Sequence, residues 1–152
     1  MKTKISILFI AIFIGLMTSC SETDEDINPL DFKAIGQNNL FGNGREDIVQ
    51  QNLIISDSNT WNELMTKMNS VNNNSEGFTE TNIDFANFMV IAVFDKVYGN
   101  GGHSIDITKI TEIENKIIVT IDNVLKGDET LVMTQPYHIV KIRKTDKSIL
   151  FE

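Results

Sequence analysis

The chain has 152 residues, about one domain's worth, of which 41% are hydrophobic, and it carries a formal charge of −8 and a single cysteine. So acidic a chain does not hold nucleic acid or anionic headgroups through its net charge. One cysteine leaves nothing for a disulfide framework, so an apolar core alone must hold the fold.

Lys2 and Lys4 form a short basic region, and Ile5 to Met17 is interrupted only by Ser6 and Gly15. A membrane span needs about 20 apolar residues to cross about 30 Å of hydrocarbon. This run is shorter, which predicts a signal peptide over residues 1–19. It ends in Met17, Thr18, Ser19 and Cys20, small residues ahead of a cysteine, and so resembles the lipobox of bacterial lipoproteins. The resemblance implies cleavage before Cys20, lipidation of its thiol and acylation of its amine. One fatty chain holds reversibly and two or three hold permanently, at about 0.8 kcal/mol per buried methylene.

Ser21 to Asp26 contains four acids and no apolar side chain, so it cannot pack and predicts a solvated linker over 20–30. About ten such residues, at about 3.3 to 3.6 Å each, let a domain stand about 35 Å from the bilayer. Acids directly after a lipidated cysteine also resemble the surface-export signal of lipoproteins in the Bacteroidota. Ser21 differs from the aspartate that tends to retain a lipoprotein at the inner membrane in enteric bacteria. Both imply an outer-membrane address in the cell envelope. Loss of Lys2 and Lys4 would leave 11 basic against 21 acidic residues, a formal charge near −10.

Residues 31–152 read as a single, mainly β domain of the α+β kind: an antiparallel sheet or sandwich of six to eight strands with one amphipathic helix. Asp31 to Gly44 scatters apolar residues among asparagines and glycines, which predicts short edge strands. Arg45 to Ser56, with Val49 and then Leu53, Ile54 and Ile55 before the Ser56, Asp57, Ser58 break, predicts a strand. Trp61, Leu64, Met65 and Met68 recur at helical spacing, and Thr60 with Glu63 makes a capping-box pattern, so a helix is predicted over 60–69. Val71 to Thr81, with three successive asparagines, predicts a surface loop with little to fix it.

Phe88 to Phe94 is seven consecutive apolar residues, too short for a typical helix and suited to a strand buried on both faces. Tyr98, Gly99, Asn100, Gly101, Gly102 and His103 then form a glycine-rich reversal. His103 to Ile107 alternates as a neighbouring strand, and the parity change at Ile110 predicts a bulge near Thr108 or Lys109. Glu114, Asn115 and Lys116 turn the chain into Ile117 to Val124, which makes a hairpin. Leu131 to Met133 predicts a short strand, and Gln135 and Pro136 open the strand Tyr137 to Ile142. Ile149 to Phe151 predicts a terminal strand.

The glycine loop is followed by a strand pattern, whereas a phosphate cradle needs a helix N-terminus there; nucleotide binding is not expected. Two histidines, His103 and His138, without a Cys pair or a His-x-x-x-His spacing, do not make a zinc site. His103, Ser104 and Asp106 suggest a triad, but adjacent strand residues point to opposite faces. No metal, cofactor or catalytic residue is expected. The backbone of the glycine loop, from Tyr98 to His103, is the candidate partner-binding element.

The order DFANFMVIAVF, YGNGGHSIDIT, KIIVTI, TQPYHIVKIRK, over about residues 85–151, resembles the C-terminal domain of the PrcB family, lipoprotein subunits of a surface protease complex. Gly101, Gly102, Gln135, Pro136 and Tyr137 match the family's loop and Gln-Pro-Tyr segments. His103 stands where the family usually has an aromatic residue, and Asn100 where it commonly has threonine. The resemblance implies a non-catalytic role that supports or tethers an exported protein partner, with a protease as the named class. A weaker likeness links the glycine loop to the chagasin-like peptidase inhibitors, which plug an active-site cleft.

Overall fold

The computed structural model describes residues 27–152; the leader, Cys20 and the acids up to Asp26 lie outside the described residues. In chain order the elements are β1 (Ile27–Pro29), β2 (Lys33–Leu40), β3 (Gln51–Ile55), α1 (Ser58–Met68), a 3-10 turn (Asn74–Gly77), β4 (Phe88–Phe94), β5 (Asp106–Ile113), β6 (Lys116–Asp122), β7 (Gln135–Arg143) and β8 (Ser148–Phe151). They make two four-stranded sheets, ordered β1-β5-β6-β8 and β2-β7-β4-β3. The architecture is the expected mainly β one, antiparallel except where β8 runs parallel to β6.

β4 lies inside its sheet, between β3 and β7, and it divides the core. Val90, Ala92 and Phe94 point to one side, where they meet Trp61, Leu64 and Met68 of α1. Met89, Ile91 and Val93 point to the other, where they meet Ile107, Ile110, Ile117 and Val119 of the second sheet. An uninterrupted apolar run is therefore required, because period-2 alternation puts every residue against a buried layer. Each of these strand side chains except the small Ala92 contributes about 1.5 to 3 kcal/mol on full burial. β7 repeats the arrangement, with Tyr137 and Ile139 towards the helix and Val140 and Ile142 towards the second sheet.

The β5–β6 hairpin forms as expected, with Glu114 in a left-handed turn conformation (φ 43°) and a register shift between Ile107 and Lys109. The shift returns Ile107 and Ile110 to the same buried face.

Several expectations are corrected. β4 and the strand after the glycine loop belong to different sheets and face each other across the core instead of pairing. That strand begins only at Asp106, and His103 makes one isolated bridge to Lys126. Leu131 to Met133 forms no strand. Ile27 to Pro29, placed in the linker, pairs with β5 through Ile27↔Ile113 and Pro29↔Thr111, so the ordered domain begins ahead of residue 31. The helix is capped by Asp57, not by the Thr60 box: its carboxylate accepts from the Asn59 and Thr60 amides at 2.9 and 3.0 Å, and these bonds hold its pKa below the usual range. The 71–81 loop is anchored. Trp61 Nε1 donates to Thr81 O (2.8 Å), Asn69 and Ser75 bond each other twice, and Phe78 packs on Trp61 and Tyr137.

Candidate functional site

At one end of the molecule the glycine loop, residues 95–105, lies against the segment 123–134, and the two are sewn together along their lengths. Tyr98 and Thr134 exchange both backbone bonds, at 2.7 and 3.1 Å. Gly101 N donates to Thr130 O (3.2 Å), Asp128 N to Gly101 O (2.9 Å) and Gly127 N to Gly102 O (2.9 Å). Side chains add to this: Asn100 Nδ2 donates to Asp128 O (2.8 Å) and Thr134 Oγ1 to Asn100 O (2.8 Å). The two connections thus form one double loop.

The glycines serve that contact. A Cβ on Gly101 would sit 2.3 Å from Thr130 Oγ1, and one on Gly102 would sit 2.6 Å from Asp128 Cγ and 2.8 Å from Asp128 N. The backbone face expected to receive a partner is therefore occupied by the chain itself. Gly99 is different, with nothing within 4 Å of the Cβ it would carry.

Asp95, just past the end of β4, anchors the base of the double loop. It is nearly buried and accepts from Gln50 Nε2 (3.1 Å), Lys96 N (2.8 Å), Tyr98 OH (2.7 Å) and Asn123 Nδ2 (2.7 Å). Those bonds satisfy both carboxylate oxygens, as burial of the charge demands. Burial, with the Asp95 hydrogen bond and charge, pushes the Tyr98 phenol up to about 12. The Tyr98 ring stacks on His103, with centroids 3.6 Å apart, and His103 Nε2 lies 3.0 Å from Asn100 Oδ1.

The residues of the suggested triad are committed elsewhere. Ser104 donates its hydroxyl to Asp106 Oδ2 and accepts from Leu125 N (3.0 Å), while the His103 ring is held by Tyr98 and Asn100. Among the described residues no group of three His, Cys, Asp or Glu side chains is placed to hold a metal ion.

Gln135, Pro136 and Tyr137 begin β7 and are all buried. Gln135 Nε2 donates to Ile48 O (2.8 Å) and Asp95 O (2.9 Å), tying the 41–50 loop to the base of the double loop. These three residues shape the scaffold beneath the double loop.

His138 bridges the sheets: the Ile107 amide donates to its Nδ1 at 2.9 Å. Nε2 then carries the ring proton, buried and without a partner among the described residues. Burial pushes the imidazole pKa down, against a smaller upward pull from Asp106. The folded pKa lies below the unfolded one, so this stability is complete above about pH 6.5 and is lost as pH falls below that value. Unfolding free energy should therefore decline between about pH 7 and 5, ahead of the carboxylates, and His138→Gln should flatten that slope. Urea titrations at pH 7.5 and 5.5 check it; equal slopes in both proteins would remove His138 as the cause.

What the sequence reading missed is the apolar surface of the double loop. Val124 (58% exposed), Leu125 (56%) and Leu131 (98%) project into solvent, with Val132 and Met133 beside Leu131. The signal available was the apolar run Leu131 to Met133, which suggests a strand by sequence and which the structure leaves in a loop without strand partners. Among the described residues no helix is long and apolar enough to cross a membrane. No family model matches the chain, and neither a curated protein nor a solved structure matches it.

Proposed function

We propose that the protein is a lipid-anchored, non-catalytic binding module of the bacterial envelope that docks an exported protein partner through the apolar tip of its double loop. The observation that carries this reading is Leu131, a fully projecting leucine on a segment held by hydrogen bonds at Gly101, Gly102 and Thr134. Apolar side chains fixed on a rigid support lose little entropy on docking, which is how a small patch becomes an energetic anchor. The lipobox resemblance at Cys20 supplies the anchor, and the acids that follow it, with Ser21, supply the outer-membrane address. The PrcB resemblance supplies the partner class, an exported protease.

The test uses the full-length chain and a Leu131→Asp, Met133→Asp variant. Capture of a defined envelope protein by the parent chain should fall at least about tenfold in the variant, a loss of about 1.4 kcal/mol, with unfolding unchanged. Undiminished capture would remove the tip from the interface. Slowing of a cysteine or serine peptidase by the parent, relieved in the variant, would move the reading to a chagasin-like inhibitor. Mass spectrometry finding Cys20 unmodified in an uncut chain would overturn the anchor.

A further inference from the structure

The two sheets present four edges, and three of them are guarded. β1 is three residues long and ends in Pro29. β2 carries a register shift at Ala34/Gly36, and Thr79 bonds its outer side at Ile35 O (2.8 Å) and Ala34 O (3.0 Å). β8 is four residues long, between Lys147 and Glu152. Charge, proline, bulges and coverage are the usual means of keeping an edge from pairing.

β3 has none of them. Val49 to Ser56 contains no charged residue and no proline, its register with β4 is unbroken, and Ile54 is 44% exposed. Its outward groups can be identified. Asp95 N bonds Pro136 O, so the alternate residues Phe94, Ala92 and Val90 turn towards β3 and bond Gln51, Leu53 and Ile55. The N–H and C=O of Asn52 and Ile54 are left on the open side. Beside them runs a groove between β3 and α1, lined by Gln51, Leu53, Thr60, Glu63, Leu64 and Lys67.

We propose that β3 is a dimerisation edge, filled by β3 of a second copy of this chain in antiparallel register about a two-fold axis at Leu53. Asn52 of each copy then faces Ile54 of the other, and every outward N–H and C=O of both strands is used. The same axis sets the two α1 helices antiparallel on one face of the joined sheet, which brings Glu63 of each copy towards Lys67 of the other; Lys67 already pairs with the exposed Asp47 at 3.5 Å, so Glu63 joins that pair as a second carboxylate. That charge match favours a second copy over an unrelated strand. A chain of charge −8 repels its own kind, and an edge strand without charges adds no like-charge contact of its own to that approach.

The full-length chain, in membranes or detergent, carrying Leu53→Cys should form a disulfide-linked dimer under mild oxidation, because opposed non-hydrogen-bonded residues lie about 4.5 Å apart. The parent chain, with Cys20 alone, is the control. Asn52→Pro removes an outward N–H without touching the inner ladder, and added to Leu53→Cys it should cut the cross-linked fraction at least about tenfold. Glu63→Lys should weaken cross-linking and Glu63→Lys with Lys67→Glu should restore it. No cross-link at Leu53, or cross-linking indifferent to both Asn52→Pro and the charge reversal, overturns the proposal. Cross-linking to an unlike protein in place of a second copy overturns it equally.

Discussion

Replacing Phe94 by alanine should destabilise the domain by about 3 to 5 kcal/mol, the range for truncating a fully buried aromatic residue. The Phe94 ring has no exposed surface, packs against Tyr137 with centroids 6.1 Å apart, and sits where β4 meets the layer of α1. Its truncation leaves a cavity walled by strand residues that cannot move inward, because β4 is bonded on both sides. Phe94→Leu keeps most of the volume and should cost about 1.5 kcal/mol or less. Urea unfolding checks this: the midpoint should fall at unchanged slope. A loss below about 1 kcal/mol for alanine would mean that the site collapses freely and that β4 is not the rigid centre of the fold.

The sequence alone makes legible what the chain encodes locally. The seven apolar residues of β4, the helix face of Trp61, Leu64 and Met68, the hairpin and the bulge after Ile107 are all patterns within a few residues, and periodicity exposes them. Pairing partners are not local. An apolar run states that both faces of β4 are buried, but it does not say that β3 and β7 flank it or that β5 lies in the opposite sheet. The same holds for β8, whose four residues would suit either direction and which runs parallel to β6 because the turn at Thr145 to Lys147 brings it back beside Lys116 to Val119.

Polar side chains hid the remainder. Asp57 and Thr60 both offer a capping oxygen, and only the backbone of Asp57, extended at φ −147°, ψ 159°, decides between them. The asparagines of the 69–74 stretch look like a solvated loop, yet Asn69 and Asn74 bond Ser75 and Met68 O. For the site, glycine was the ambiguous residue. A missing Cβ permits close approach by any backbone or side chain, and here the visitor is the protein's own 126–134 segment. The glycine-rich reversal therefore marks a face that the fold buries against itself, while the exposed face of the same double loop is apolar and lies thirty residues later in the chain.

Gly102→Val should open the double loop while leaving the sheets closed. At φ +69° the left-handed backbone alone costs an ordinary residue about 1 to 2 kcal/mol, and a β-branched side chain is the least tolerant. The new Cβ would also press on Asp128 N at 2.8 Å, a backbone atom that cannot turn aside as a side chain can. The total should reach about 2 to 4 kcal/mol, spent locally by breaking the bonds of Gly127 N to Gly102 O and Asp128 N to Gly101 O. Amide exchange should accelerate at Gly101, Gly127, Asp128 and Thr134 and stay slow in β4 and β7. Gly99→Ala, whose Cβ would have nothing within 4 Å, should change exchange little and stability by no more than about 0.5 kcal/mol. Protection unchanged in Gly102→Val would mean that the two connections are not held by each other. If they are, and the tip is the docking element proposed above, Gly102→Val should lose capture through disorder and the Leu131→Asp, Met133→Asp variant should lose it with every loop amide still protected, a contrast that separates support from contact.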